Sequence, residues 1–235
     1  MNFSLITIKN PKNRIDDLQL LKELGAINID NLGETIFEEC YSANEGEISI
    51  ADFNNCIVIN DGNTFNINLF EAIYRPASHE LTLSKMFPDS EILSVIGSDS
   101  SMMYCYSLVK NGERIRYNHV TSEGYSPISS GNLLSEEMET FNESKIIDGK
   151  RMFKSTYDKE DAHSLQESQL VDTLTFDVLS RHLGVTIMSG DDDKFMFETT
   201  FKTYKASFQK EKVEAEEGKV EDSLLKKIMS WISKK

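Results

Sequence analysis

The sequence is poor in the residues that build disulfide frameworks and metal centres. It has only three cysteines, odd in number and without Cys-x-x-Cys spacing, which indicates buried free thiols in a reducing compartment. The four histidines are far apart, and none pairs with another at helical metal-ligand spacing. Asp191–Asp193 lacks the spaced ligands of a calcium loop and is typical of an acidic turn. We therefore expect no metal and no cofactor. The residues concerned are Cys40, Cys56, Cys105, His79, His119, His163 and His182.

Long apolar runs are missing as well. No stretch approaches the roughly 18 residues that a transmembrane helix needs. The apolar run Phe3–Ile8 has no basic residues before it and no small-residue cleavage site after it, so it is typical of a first β-strand rather than a signal peptide. We expect a cytoplasmic protein, and the sequence disfavours a membrane as its partner.

Acidic residues, in contrast, are abundant. The chain has 39 Asp and Glu residues against 25 Lys and Arg, which gives a formal net charge of −14. Such a chain repels a phosphate backbone, so the charge argues against a nucleic acid as partner. It favours a protein partner with a basic surface, although the same charge also serves solubility alone. The sequence leaves these two interpretations open.

Apolar patterning predicts one domain over residues 1–204. Cys56–Asn60 and Glu91–Gly97 are typical of buried strands, the first of them covered on both faces. Leu170–Leu183 predicts a helix that ends at a glycine, and Phe195–Tyr204 alternates like a strand. We expect an α/β fold, with α+β as the alternative, in which helices flank a mixed β-sheet.

The dipeptide Asn111-Gly112 is the strongest local signal in the chain. It separates two apolar stretches and is the preferred sequence of a type I′ turn in a β-hairpin. The resulting register places Arg114 and Arg116 together on one face of the hairpin. The predicted cross-strand pairs are Lys110 with Glu113, Leu108 with Ile115, and Tyr106 with Tyr117.

A candidate polar site follows the predicted strand Glu91–Gly97. Ligands often bind beyond the carboxyl ends of strands, and Ser98 and Asp99 occupy that position. Arg114 and Arg116 could hold a carboxylate or phosphate group. However, the segment is neither a nucleophile elbow nor a phosphate-binding loop, and polar turns and solvated strand faces commonly have this composition.

Residues 205–235 form a charged segment that ends in an amphipathic helical pattern. Its apolar residues share one arc of a helical wheel, and lysines lie away from that arc. Such a helix could bind a membrane surface or a partner groove. We prefer docking on its own domain or on a second copy of the chain, because three turns are marginally stable alone. The predicted docking residues are Leu224, Leu225, Ile228, Trp231 and Ile232.

The hairpin region and its neighbours contain the motifs Phe87-Pro88, Glu91–Val95, Tyr104–Tyr106, Asn111–Arg116 and Gly131–Glu137, followed later by Leu179–Val185. Together these motifs resemble an uncharacterised family of bacterial cytosolic proteins. That family has a similar strand, a hairpin with an arginine-rich return strand, and a Gly…Leu-Pro-x-Glu segment in which Ser135 here replaces the proline. The resemblance implies no catalytic residues, because the family has no established activity.

Three functions remain as expectations. The first is a non-enzymatic acidic binding protein, for example an immunity protein that neutralises a bacterial toxin by occlusion, as small acidic bacterial proteins often do. The second is an enzyme whose polar site assembles near residues 97–101. The third is a peripheral membrane or adaptor protein that uses the C-terminal helix. A flat acidic face would favour the binder, and a pocket with convergent polar groups would favour the enzyme.

Overall fold

The computed structural model describes residues 2–42, 44–120, 127–154, 163–187 and 192–208. Within these ranges, nine strands form one sheet and three short strands form another. In chain order the strands are β1 (Asn2–Lys9), β2 (Ala26–Ile36), β3 (Glu47–Phe53), β4 (Cys56–Asn60), β5 (Glu91–Ser98), β6 (Met103–Lys110), β7 (Glu113–Val120), β8 (Ile128–Gly131), β9 (Lys145–Ile147), β10 (Lys150–Lys154), β11 (His163–Gln166) and β12 (Thr200–Phe208). The main sheet has the order β2-β12-β3-β4-β1-β5-β6-β7-β8, and the small sheet has the order β11-β10-β9.

Helices cover both faces of the main sheet. The first face carries α1 (Asp17–Glu23), α3 (Ser78–Met86) and a 3₁₀ turn at Asn66–Phe70. The second face carries α2 (Phe37–Cys40), α4 (Ser135–Glu143), α5 (Val171–Leu183) and a π-helical turn at Lys194–Glu198. A further 3₁₀ turn, Glu167–Gln169, precedes α5.

Alternating side chains on the central strands supply a core to each helical layer. On β5, Leu93 and Val95 pack against the second face, whereas Ile92 packs against the first. Every residue of β4 is buried, as the continuous apolar run predicts for a strand covered on both sides. The predicted strand Glu91–Gly97 and the predicted helix that ends at Gly184 are also confirmed, and Gly184 has a φ of 69°.

The sheet is antiparallel in every strand pair that the structure describes, so the predicted mixed sheet is wrong and the α+β alternative is correct. Short turns account for three of these pairs, β3–β4, β5–β6 and β6–β7, because a short turn joins neighbouring antiparallel strands directly, whereas parallel strands need long crossovers. Between β3 and β4, for example, Asn54 and Asn55 have φ angles of 43° and 60°, as a type I′ turn requires.

The end of the described chain differs from the prediction over Phe195–Tyr204. Phe195 lies in the π-helical turn, and the strand begins only at Thr200. Strand β12 then continues to Phe208, four residues beyond the predicted boundary at 204. Leu224, Leu225, Ile228, Trp231 and Ile232, which were predicted to dock, lie outside the described residues, as does Asp191.

The β6–β7 hairpin forms at the predicted turn, but its register contains a β-bulge. Asn111 and Gly112 have φ angles of 54° and 78°, and Lys110 lies opposite Glu113 as expected. The register then shifts between Leu108 and Val109. The predicted pairs of Leu108 with Ile115 and of Tyr106 with Tyr117 are therefore wrong. The observed pairs are Leu108 with Arg116, Ser107 with Tyr117, and Tyr106 with Asn118.

The bulge also separates the two arginines. Ile115 is the extra residue on β7, so Arg114 and Arg116 point to opposite faces of the sheet. Arg114 reaches Glu80 of α3 on the first face, whereas Arg116 reaches Glu137 of α4 on the second. A one-residue shift in register reverses the direction of each later side chain, and the dipeptide turn alone does not reveal it.

Candidate functional site

The predicted polar site does not assemble. Ser98 lies at the end of β5, where its hydroxyl donates to Asn2 Oδ1 over 2.9 Å. Asp99 accepts a hydrogen bond from the Tyr104 hydroxyl. On β6, Ser98 pairs with Met103, whereas Arg116 pairs with Leu108, five residues farther along the strand. At the ordinary rise of a strand, five residues span about 17 Å. The serine turn and the arginines are therefore distinct features.

Arg114 forms a buried ion pair. Its Nη2 donates to Glu80 Oε2 over 2.8 Å, and both side chains are almost completely buried. The guanidinium also lies 4.8 Å from the centre of the Tyr117 ring. Glu80 in turn accepts the backbone N–H of Ala77 at the start of α3, over 2.8 Å. Arg114 thus fixes the first helix layer to the hairpin.

Arg116 is held by a second buried carboxylate, that of Glu137. Arg116 Nη2 donates to Glu137 Oε1 over 2.6 Å and Nε donates to Oε2 over 2.9 Å, with side-chain exposures of 3% and 0%. The Tyr106 hydroxyl and the Leu134 N–H each donate to the same carboxylate over 2.7 Å. Sequence analysis missed Glu80 and Glu137, since nothing local marks a carboxylate as the partner of a distant arginine.

A buried histidine resembles part of a catalytic relay but lacks access to substrate. His182 Nδ1 lies 2.9 Å from the Thr7 hydroxyl, and Nε2 lies 3.5 Å from Glu91 Oε2. The contact with His182 lowers the pKa of Glu91 to about 2, and burial lowers the pKa of His182. However, Thr7 and His182 are 0% and 1% exposed. The arrangement therefore fixes α5 to β1 rather than presenting a nucleophile.

The described ranges also bear on two other kinds of site, metal centres and membrane-spanning helices. Nowhere in them do three or more His, Cys, Asp or Glu side chains gather as metal ligands. None of the helices in the same ranges has the length and apolarity needed to cross a bilayer.

Strand β2 and the segment after it form an acidic surface at one edge of the main sheet. Within the described chain, β2 pairs only with β12, so its other side is open. No lysine, arginine or histidine occurs between Lys22 and Arg75, a signal that sequence analysis overlooked. We call this surface the acidic edge. It consists of β2 together with the carboxylates of Asp30, Glu34, Glu38, Glu39, Glu45 and Glu47.

Few internal contacts neutralise the acidic edge. Lys205 Nζ lies 3.5 Å from Glu47, and Lys202 is the residue opposite Glu34 in the strand register. The remaining carboxylates, from Asp30 to Glu45, form no ion pair within 4.0 Å in the part of the chain that the structure describes. A hydrogen bond from the Asn44 amide, 2.9 Å away, lowers the pKa of Glu47. The surface is therefore negative at neutral pH.

A cleft of about 290 Å³ lies in the acidic edge, between β2, α2 and the sheet. Its floor includes Ser49 and Thr203, whose hydroxyl oxygens are 2.9 Å apart, and Glu39 accepts a hydrogen bond from Thr35 over 2.7 Å. Cys40 also lines the cleft, but burial raises the pKa of its thiol. The thiol stays protonated and is a poor nucleophile. The lining thus suits hydrogen bonding to a cation rather than covalent chemistry.

The comparisons with known proteins found no matching family model, no matching curated protein and no matching solved structure. Geometry and charge therefore carry the functional argument. The resemblance of residues 87–137 and 179–185 to a bacterial family stays a prediction.

Proposed function

We propose that this protein is a non-enzymatic binding protein whose acidic edge recognises a basic surface on a partner protein. One observation carries this proposal. Carboxylates such as Asp30, Glu34 and Glu38 are exposed along this edge and form no ion pair within 4.0 Å in the described chain. Arg114 and Arg116, in contrast, are both paired with buried carboxylates. The acidic edge therefore carries exposed negative charge that the described part of the fold leaves largely unpaired.

Such a surface acts through long-range attraction and through complementarity at contact. A cluster of like charges steers an oppositely charged partner and speeds its association. An acidic surface of this kind suits a protein that neutralises a basic toxin by covering its surface. We keep toxin neutralisation as the specific form of this proposal, as the sequence suggests. A cytoplasmic location fits the three free, buried cysteines, since reducing compartments preserve thiols. The enzyme alternative loses support, because its proposed residues do not converge.

The proposal is tested by affinity capture with full-length variants from cells that produce the chain. The edge variant carries Asp30→Asn, Glu34→Gln and Glu38→Gln, and a matched control carries the same loss of charge at three exposed sites on and near α4. We expect the parent and the control to retain the same partner and the edge variant to lose it. The control substitutions are Glu139→Gln, Glu143→Gln and Asp148→Asn.

Association kinetics with the captured partner provide the second measurement. Exposed charges are screened within about 10 Å at 0.1 M salt, so the association rate should fall steeply as salt rises. The dissociation rate should change less. A partner that the edge variant retains, or an association rate that salt leaves unchanged, would show that the negative charge serves solubility only.

A further inference from the structure

Strand β2 is an open sheet edge in the part of the chain that the structure describes, and it has unusual properties. It has eleven residues, and most of them are exposed. It contains no proline, lysine or arginine, which natural proteins use to keep edge strands from pairing. The opposite edge strand, β8, has only four residues. The main sheet therefore offers its backbone hydrogen-bonding groups chiefly along β2.

Two β-bulges divide this edge and expose apolar side chains. The pairing of β2 with β12 skips Ile27 and Leu32, which are the extra residues on β2. Their exposures are 56% and 57%. The residues between them, 28–31, pair regularly with β12 and include Asp30. An incoming strand would thus meet backbone groups flanked by two apolar contacts.

From this geometry, and resting on the proposed function, we propose that β2 binds the basic partner by accepting an extended, lysine- or arginine-containing segment as an additional strand. Backbone hydrogen bonds would supply affinity, and alternate side chains would supply specificity. The bulge at Leu32 places Asp30 and Glu34 on opposite faces of the sheet, so a cation on either face of that segment would meet one of these two carboxylates. The adjoining cleft, with Glu39 at its wall, has room for one cationic side chain.

Charge decides between the basic segment and a second copy of this chain. Two β2 strands side by side would bring Asp30 and Glu34 of each copy close to the same residues of the other. Like charges directly opposite one another destabilise a strand pair, whereas opposite charges stabilise it. The acidic edge therefore opposes self-pairing and favours a basic strand.

The test uses the full-length protein and three synthetic peptides. The probe is an acetylated seven-residue peptide of alternating lysine and valine. The second peptide has proline in place of valine, so it keeps the charge but cannot pair as a strand. The third has glutamate in place of lysine. We expect only the lysine–valine peptide to shift the backbone amide resonances of residues 26–36.

Charge reversal at the edge completes the experiment. The double variant Asp30→Lys, Glu34→Lys should weaken binding of the lysine–valine peptide about tenfold or more, and the control Glu139→Lys should change it less than about twofold. Equal binding of the proline peptide, or shifts away from β2, would overturn strand addition. Salt-dependent capture of the partner would then still stand, so the two proposals fail separately. A dimer through β2, or contacts between β2 and residues 209–235 in the free protein, would also overturn it.

Discussion

The β6–β7 hairpin and the acidic edge belong to the same sheet, yet charged side chains are buried and paired in the first and exposed in the second. On the hairpin, Arg114 and Arg116 point to opposite faces, and each meets a buried carboxylate. On β2, Asp30 and Glu34 remain exposed, and their nearest cationic neighbours by register are the exposed Lys205 and Lys202. One region satisfies its charges internally, and the other leaves them for solvent or a partner.

This difference separates structural charges from available ones. A buried ion pair costs desolvation, and it destabilises the fold strongly when one member is lost. An exposed carboxylate contributes little to stability, so the fold tolerates its presence or absence. Substitutions in the two regions should therefore have effects of different size and kind.

The largest effect is expected at Glu137. The substitution Glu137→Gln would leave the buried guanidinium of Arg116 without the carboxylate that it pairs with. It would also weaken the hydrogen bond that the Tyr106 hydroxyl donates to residue 137. We expect the free energy of unfolding to fall by about 3–5 kcal/mol, the usual consequence of breaking a buried pair. Urea unfolding followed by far-ultraviolet circular dichroism measures this change.

Two matched variants test the cause. Glu139→Gln, on the exposed side of the same helix, should change the free energy of unfolding by no more than about 0.5 kcal/mol. Replacing both Arg116 and Glu137 with methionine should cost much less than Glu137→Gln, since no buried charge is then left alone. If the single and the double replacement cost the same, packing rather than charge would be responsible.

An intermediate effect is expected from acid, through His119 on β7. Burial lowers the pKa of this histidine from 6.5 to about 4. The unfolded chain therefore binds a proton more readily than the folded one, and stability is lost as pH falls from about 6.5 to about 4. The loss attributable to His119 reaches about 3 kcal/mol, at 1.36 kcal/mol for each pKa unit.

His119→Gln should flatten the pH dependence of the free energy of unfolding within this window, as measured by urea titrations between pH 7 and pH 4. His163→Gln is the control, because that histidine is partly exposed and bonds only the Glu143 carbonyl oxygen in the described chain. Glu91 adds a separate loss at lower pH, since its pKa falls from 4.5 to about 2 in the folded protein. An unchanged slope in His119→Gln would show that His119 is accessible to protons in the folded state.

Strong local signals allowed part of this fold to be predicted from sequence. The Asn111-Gly112 turn, the apolar run of β5 and the helix before Gly184 each depend on short-range patterns, and all three are confirmed. The bulge at Ile115 could not be predicted, because the carboxylates that pair with Arg114 and Arg116 lie on α3 and α4, far away in the sequence. Tertiary partners, not the turn, orient those side chains.

The acidic edge was missed for a different reason. The sequence of β2 includes asparagine, aspartate and glycine, which are depleted in strands, and it lacks the alternation of a strand with one buried face. Pairing with β12, more than 150 residues later in the chain, makes it a strand. The absence of basic residues between Lys22 and Arg75 was visible, but only the fold shows that part of this segment lies on one open edge.

The smallest effect on stability is expected at the acidic edge itself. Asp30→Asn together with Glu34→Gln removes attraction to Lys205 and Lys202, but it also reduces repulsion among the neighbouring carboxylates. Exposed pairs of this kind contribute about 0–1 kcal/mol, so we expect a net change within about 0.5 kcal/mol in urea unfolding. The same variant should lose affinity for a basic partner. If it instead unfolds as readily as Glu137→Gln, these carboxylates stabilise the fold, and the distinction between structural and available charge fails.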